Sequence, residues 1–422
     1  MEKILINIAK RQNCLNLHYS YVDAFNDIYI KHGVKTFVLC QGDKINDKIY
    51  LEKLESKGIT ILSYKDNIEL EGIIISLSQE KVVTFINTFT EELVILTCKL
   101  KKLINTESTS NPDIFRNKHL QRKLIQEYNP DISVKFIEKK LEDLKLEEIV
   151  SYIGYPFILK PSSGIQSAGV SKIENENQFI EYINNYKNFL EVFQSKGYNN
   201  EIILAEEFVD GEMYSIDYLV DEKGETSLTQ AVEVKLGPDI GIDDFMNYSR
   251  NINQGVINKF KEIDLNKFVS ETVKALGIKN NFIHHEFKIN SKGQLKTIEV
   301  NGRIGGYRLE MISEAFGVNM LEMLYTKNIE FNLLYNISII LFYSTIRGIL
   351  KEFNESIVEK FKGLKSFYKI RLIDNFIGKE VGLTKHGFSK AGILKLKNKN
   401  FEEFEKDLKV VEENYSKLMI LE

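Results

Sequence analysis

The chain of 422 residues has no tryptophan, only 5 prolines and only 3 cysteines. Cys14, Cys40 and Cys98 all fall near the start, with no C-x-x-C pair and no Cys/His cluster. That pattern excludes a disulfide framework and a zinc site of the usual spacings. An excess of one charge is missing too: 56 basic residues oppose 60 acidic ones, for a net charge of −4. So even a balance makes no general case for nucleic acid or an anionic membrane as partner. Long apolar runs are absent. The longest, such as residues 337–343, are far too short to span a bilayer. The opening MEKILINIAKR has only a short apolar run before Lys10 and Arg11, and it reads as a first strand rather than a signal peptide. Together these absences lead us to expect a cytoplasmic protein in a reducing compartment. What is present is 43% hydrophobic residues, enough for substantial cores, and a length of roughly three domains.

Residues 4–8, 36–40, 60–62 and 93–97 read as strands, and residues 22–31 and 48–57 as helices. This β-α-β pattern predicts an open parallel sheet in residues 1–105. No G-x-G-x-x-G follows the first strand, so dinucleotide binding is not expected there. Residues 106–113 (TESTSNPD) are polar and turn-rich, and read as a linker. A helix is expected over 114–128. Residues 106–327 carry the strong motifs. Residues 328–422 return to strands, at 337–343 and 366–371, and end in a charged helix over 401–417. That tail reads as a small α+β domain.

The most informative segment is FIHHEFKINSKGQLKTIEVNGRIGG, residues 282–306. It reads as a hairpin, 282–289 against 294–301, followed by a Gly-rich turn. With Lys292-Gly293 as a two-residue loop, Glu286 faces Glu299 directly. Asn301 shares that face, two residues on. Like charges placed opposite each other repel. A hard divalent cation removes the repulsion and uses the amide oxygen as a third ligand, which suits Mg²⁺ with substrate phosphates. Arg303, just beyond, offers a planar fork for a phosphate or carboxylate.

Two further segments carry chemistry. In YPFILKPSSGIQSAGV, residues 155–170, a short strand ends at Lys160. A loop of small residues follows, including Ser163, Gly164, Ser167 and Gly169, whose backbone N–H groups can approach phosphate oxygens closely. In IILAEEFVDGEMYSIDYLV, residues 202–220, a strand enters a turn at Asp210-Gly211. Backbone groups before that turn can face an adenine edge, and Glu212 just beyond can accept from ribose hydroxyls. Lys118 stands at the start of the 114–128 helix.

The order and spacing of these pieces resemble the ATP-grasp superfamily over about residues 117–310. The resemblance implies an ATP-grasp architecture, α/β and α+β: an N-terminal parallel-sheet domain, a two-subdomain core with a lid at about 145–205, and a small C-terminal domain. It implies that Lys118 and Lys160 contact the ATP phosphates and that the Ser163–Gly169 loop closes over them. Glu207 and Val209 would offer backbone groups to adenine, and Glu212 would hold the ribose. Glu286, Glu299 and Asn301 would bind two Mg²⁺ ions, or Mn²⁺. Arg303 would hold an acyl phosphate.

The implied activity is amide formation between a carboxylic acid, an amino acid in the leading reading, and an amine, with release of ADP and phosphate. Within the superfamily the layout resembles the dipeptide-forming and carnosine-synthase-like ligases. A carboxylating or other small-molecule ligase, and a non-catalytic nucleotide-binding regulator, are the alternatives. Small-molecule substrates are the expected partners, with a homodimer by analogy. Lys235 and Arg250 are candidates for holding a substrate carboxylate and Tyr307 and Arg308 for lining the acyl pocket, while His284 and His285, one of which must face away from Glu286's side, read as packed structural residues of the metal strand.

Overall fold

The structure is a computed structural model and describes residues 1–15, 18–162, 169–195, 201–386 and 388–422. Its first sheet is parallel, with β1 (Lys3–Ala9), β2 (Lys35–Gln41), β3 (Ile59–Tyr64) and β4 (Val82–Asn87) in the order β3-β2-β1-β4. Ile4, Ile6 and Ile8 pack into one core and Leu5 and Ala9 into another, so β1 is buried on both faces. That is why it reads as a continuous apolar run.

One expected strand is corrected. Residues 93–97 open the helix Val94–Leu103, and the fourth strand is β4, reached through the helix Asn67–Glu80. Val94, Thr97, Cys98 and Lys101 are its buried residues at helical spacing, and this stripe overrides the β-branched composition. Residues 106–113 are held rather than loose: Thr109 is buried and its Oγ lies 3.3 Å from Lys279 O. The next helix, Lys118–Tyr128, starts later than expected, after a short 3-10 turn at Pro112–Phe115. Asn117 caps it by accepting from Leu120 N at 2.9 Å.

The second sheet is antiparallel, with β5 (Phe136–Lys140), β6 (Phe157–Pro161), β7 (Ser171–Ile173) and β8 (Ile202–Glu207) in the order β5-β8-β6-β7. It has its own core of Ile149, Phe157, Leu159, Ile173 and Tyr182.

The third sheet is the largest. It contains β9 (Glu212–Val220), β10 (Thr226–Leu228), β11 (Val232–Leu236), β12 (Asn247–Ile252), β13 (Asn281–Ile289), β14 (Leu295–Asn301) and β15 (Asn336–Phe342). Beyond β16 (Gly348–Phe353) it regains β17 (Phe367–Leu372) and, past β18 (Glu380–Val381), β19 (Gly392–Asn398). The order is β14-β13-β9-β11-β12-β15-β19-β17, with β10 on β9. The sheet therefore runs on from the motif-bearing strands into the C-terminal segment through the β12–β15 pair. β20 (Met419–Leu421) joins β16 and β18 in a small separate sheet. The helix Leu265–Leu276 seals one face of the β9–β13–β14 region through Phe268, Val269 and Val273. The opposite face is left for the cavity described next.

The β13–β14 hairpin is corrected in detail. Its loop has three residues, Ser291 to Gly293, because Asn290 N donates to Gln294 O at 3.0 Å. Glu286 nevertheless pairs with Glu299, because the register shifts between Glu286 and Phe287 and leaves Ile298 as an extra residue on β14. The bulge restores the alignment that the longer loop would have lost.

Candidate active site

A cavity of about 470 Å³ is lined by residues from the second and third sheets, by Glu91 and Glu92, and by Lys118. The helix Lys118–Tyr128 faces the edge strand β14 with residues three and four apart. Lys118 Nζ donates to Glu299 Oε1 at 2.6 Å. Gln121 takes both backbone groups of Val300, at 2.6 and 3.1 Å. Arg122 donates to the carbonyl of the bulged Ile298. The same Arg122 grips Glu206 through Nε at 3.1 Å and Nη2 at 3.3 Å. Glu206 in turn holds Lys160 at 2.6 Å. Burial alone would raise the Glu206 carboxyl, but Arg122 and Lys160 outweigh it and bring its pKa down to about 2. Burial draws the Lys160 ammonium down to about 8, against the pull of Glu206. For Lys118 the opposite holds: burial lowers it, but Glu299 outweighs burial and raises it.

Glu286, Glu299 and Asn301 all line the cavity. Asn301 is 4% exposed, and its Oδ1 is buried with no partner among the described residues. A buried acceptor without a donor is unusual in a folded protein. Beside two carboxylates on paired strands it fits a hard cation with oxygen ligands. Glu286 is kept ionised from behind. His284 Nε2 lies 3.4 Å from its Oε1, while His284 Nδ1 meets Asp217 Oδ2 at 3.0 Å. Burial works against the charge on Glu286, yet the His284 hydrogen bond prevails and brings its pKa down to about 2. Asp217 also accepts from Gly305 N at 2.6 Å. A Cβ on Gly305 would sit 2.4 Å from His284 Nδ1, so the turn requires glycine there. His285 points the other way, stacked on Phe268 at 4.9 Å, and burial pulls its pKa down to about 3.

Arg303 lines the cavity and is held by Glu91 Oε2 at 2.9 Å; Glu91 Oε1 holds Arg116 at 2.6 Å. Glu207 and Val209 lie on the cavity wall with Ile158, Phe208, Met213 and Leu236, an apolar slot of the kind a flat base fills. Glu212 is corrected. It faces away from the cavity, bonded to Tyr214 Oη at 2.7 Å and to Lys259. Alternation along β9 puts Met213 on the cavity side and Glu212 with Tyr214 on the other. Gly169 has φ 72, and a Cβ there would meet Pro161 and Tyr186 at 3.2–3.3 Å. Ser163, Gly164 and Ser167 lie outside the described residues.

Among the pocket candidates, Arg250 and Tyr307 line the cavity, and so does His284. Lys235 is tied to Glu412 at 2.7 Å on the C-terminal helix. Arg308 is buried behind the wall, with Nη2 on Ser215 Oγ at 2.7 Å. Glu91, Arg122, Glu206 and Asp217 were not anticipated as site residues. Asp217 had a signal, an acid inside the apolar run SIDYLV. Glu91 had none, since its partner Arg303 lies 212 residues away in sequence.

Residues 153–310 match the family model described as the ATP-grasp domain. The D-alanine–D-alanine ligase of Azobacteroides pseudotrichonymphae is 24% identical over 220 residues, covering 49% of this chain and 63% of that protein. The chain thus spans less than two thirds of that relative's length. Among solved structures, the L-amino acid ligase from Bacillus licheniformis superposes with a TM-score of 0.70 at 17% identity, over 100% of this chain and 99% of its own. The N5-carboxyaminoimidazole synthetase from Staphylococcus aureus, complexed with ADP, gives 0.62 at 14% identity, over 97% of each chain. At these identities the structural likeness establishes the fold.

Proposed function

We propose, from the match of residues 153–310 to the ATP-grasp domain model, that this chain is an ATP- and Mg²⁺-dependent carboxylate–amine ligase. The reaction runs in two steps. A carboxylate oxygen attacks the γ-phosphorus of ATP, giving an acyl phosphate and ADP. An amine then attacks the acyl carbon and expels phosphate, leaving an amide. Phosphoryl transfer asks for positioning and charge neutralisation more than for a protein nucleophile.

The residues divide the work accordingly. Lys118 and Lys160 meet the phosphates, with Lys160 aimed by Glu206 and Arg122. The Glu207 carbonyl and Val209 N–H read the adenine edge in the apolar slot. Glu286, Glu299 and Asn301 would hold the Mg²⁺, which supplies charge neutralisation on the transferred phosphoryl group. Asp217 and His284 orient Glu286. Arg303 holds the acyl phosphate, steadied by Glu91.

The observation that carries this reading is the Asn301 Oδ1, buried without a partner among the described residues, on the hairpin that pairs Glu286 with Glu299. Its test is ADP and phosphate release from Mg-ATP, with and without a pool of amino acids. Release in step that requires the pool supports an amino-acid ligase. Release driven instead by bicarbonate with an amine moves the reading to a carboxylating ligase. ATP binding with no turnover on any acid makes the protein a nucleotide-binding regulator.

A further inference from the structure

Most cations around the cavity are already engaged. Lys118 is held by Glu299, Lys160 by Glu206, Arg303 by Glu91, and Lys288 donates to Val209 O at 2.7 Å. Arg250 and Lys390 are different. Both line the cavity, Arg250 from β12 and Lys390 from the segment before β19. Among the described residues neither makes an ion pair with a carboxylate, and Arg250 Nη1 is buried with no hydrogen-bond partner. Both lie over one ring: the Arg250 guanidinium is 5.7 Å and the Lys390 ammonium 5.6 Å from the centroid of Tyr307. Tyr307 is itself held at φ 66, a backbone conformation costly for a residue with a side chain.

A half-buried guanidinium with an idle N–H is unfavourable unless an anion completes it. The two charges come from distant parts of the chain and meet at a single ring. The C-terminal segment that brings Lys390 is anchored nearby: buried Asp244 accepts from Thr384 Oγ1 at 2.7 Å and Lys385 N at 3.2 Å. The reacting carboxylate and the phosphates are already provided for by Arg303, Lys118, Lys160 and the oxygen face. Arg250 also lies near enough to Glu286 to help keep that carboxylate charged, but no carboxylate among the described residues pairs directly with Arg250 or Lys390, and Arg250 Nη1 stays unfilled.

We propose that Arg250 and Lys390 form a docking point for a carboxylate that the reaction leaves intact. The organic substrate held there then bears an oxyanion besides the carboxylate that is activated. This rests on the ligase reading above. The unreacted carboxylate has two possible bearers, a dicarboxylic acyl donor or an amino-acid acceptor, and the recognition chemistry is the same for both.

The test is ligand binding to the full chain, with Mg²⁺ and a non-hydrolysable ATP analogue present, by calorimetry or thermal shift. The probes are two pairs: succinate against its monoamide, and L-alanine against L-alaninamide. A preference for succinate that Arg250→Ala abolishes identifies the donor as the bearer, and a preference for L-alanine that Arg250→Ala abolishes identifies the acceptor; a preference for L-alanine untouched by Arg250→Ala reports only the activated carboxylate and overturns the proposal. In either case Arg250→Ala is expected to weaken the preferred probe by about tenfold or more. Arg250→Lys should restore part of the loss, and the nucleotide affinity should stay unchanged. Lys390→Ala, at a partly exposed position, gives the same readout should Arg250→Ala not fold. Equal binding of acid and amide in both pairs, with nucleotide binding intact, overturns the proposal. So does a preference that survives both alanine variants. Loss of nucleotide binding in the wild type would instead contradict the ATP site itself.

Discussion

Asn301 Oδ1, two residues from Glu299 on β14, is buried with no partner among the described residues, and an unfilled acceptor of that kind costs about 1–3 kcal/mol. The strain makes sense if a cation completes the site during turnover. Asn301→Ala should therefore cut ADP release by about 100-fold or more, a loss typical of a charge-stabilising group. The same change should leave the metal-free melting temperature unchanged or slightly higher, because it removes the orphan. An active variant, or one that melts much earlier, would speak for a structural Asn301. Lys160 sits in a chain of contacts rather than alone. Lys160→Met should lower kcat/KM for ATP by about 100-fold, and a variant with wild-type ATP dependence would remove Lys160 from the phosphate site. That Lys160 and Asn301 reach the cavity wall was legible in sequence, because each ends or occupies a short, recognisable strand. Glu206 and Arg122 behind Lys160 were not, because a supporting contact between a helix and a strand leaves no local pattern.

At the scale of elements, the bulge at Ile298 does the aligning. A period of two residues means that a one-residue slip sends every side chain to the other face. Ile298 offsets the three-residue loop, and Arg122 binds its carbonyl, so register and Lys160 support meet at one point. Deleting Ile298 should remove the bulge yet keep Glu299 opposite Glu286, because Thr297 already pairs with Phe287, while taking away the carbonyl that Arg122 binds. Turnover should fall but persist, with a stability loss of roughly 1–3 kcal/mol by denaturant titration; complete loss of turnover with the fold intact would contradict the register argument. The sequence pointed to Glu286 opposite Glu299 by assuming a two-residue turn. The pairing is right and the turn is not, since no local composition marks the bulge. Glu212 shows the opposite error. Its place after the turn suggested a ribose contact, but the alternation fixed by Met213 and Tyr214 faces it outward.

At the scale of the whole molecule, the second and third sheets and the turn that follows β4 meet at one cavity, and buried polar contacts fasten the parts together. Lys101, on the helix Val94–Leu103, donates to Asn280 O and to Asn281 Oδ1 at 2.7 Å, joining the first sheet's helices to β13. Burial lowers its pKa from 10.5 to about 7. The unfolded chain then binds a proton that the native state lacks between those values. Stability contributed at this site should rise with pH from about 7 to 10.5. Lys101→Met should flatten that slope in denaturation curves across the window, and an unchanged slope would place the charge elsewhere. The parallel first sheet and the motif order were readable from apolar runs and spacing. The continuation of the third sheet into the C-terminal segment was not, since pairing between β12 and β15 spans distant sequence with no shared motif.

The measurement closest to the central claim uses the acid that supports ADP release, labelled with heavy oxygen in its carboxylate. Attack on the γ-phosphorus followed by amine displacement transfers one labelled oxygen to the released phosphate. Labelled phosphate alongside ADP is the predicted result. Unlabelled phosphate, or label appearing in AMP, would contradict an acyl-phosphate ligase.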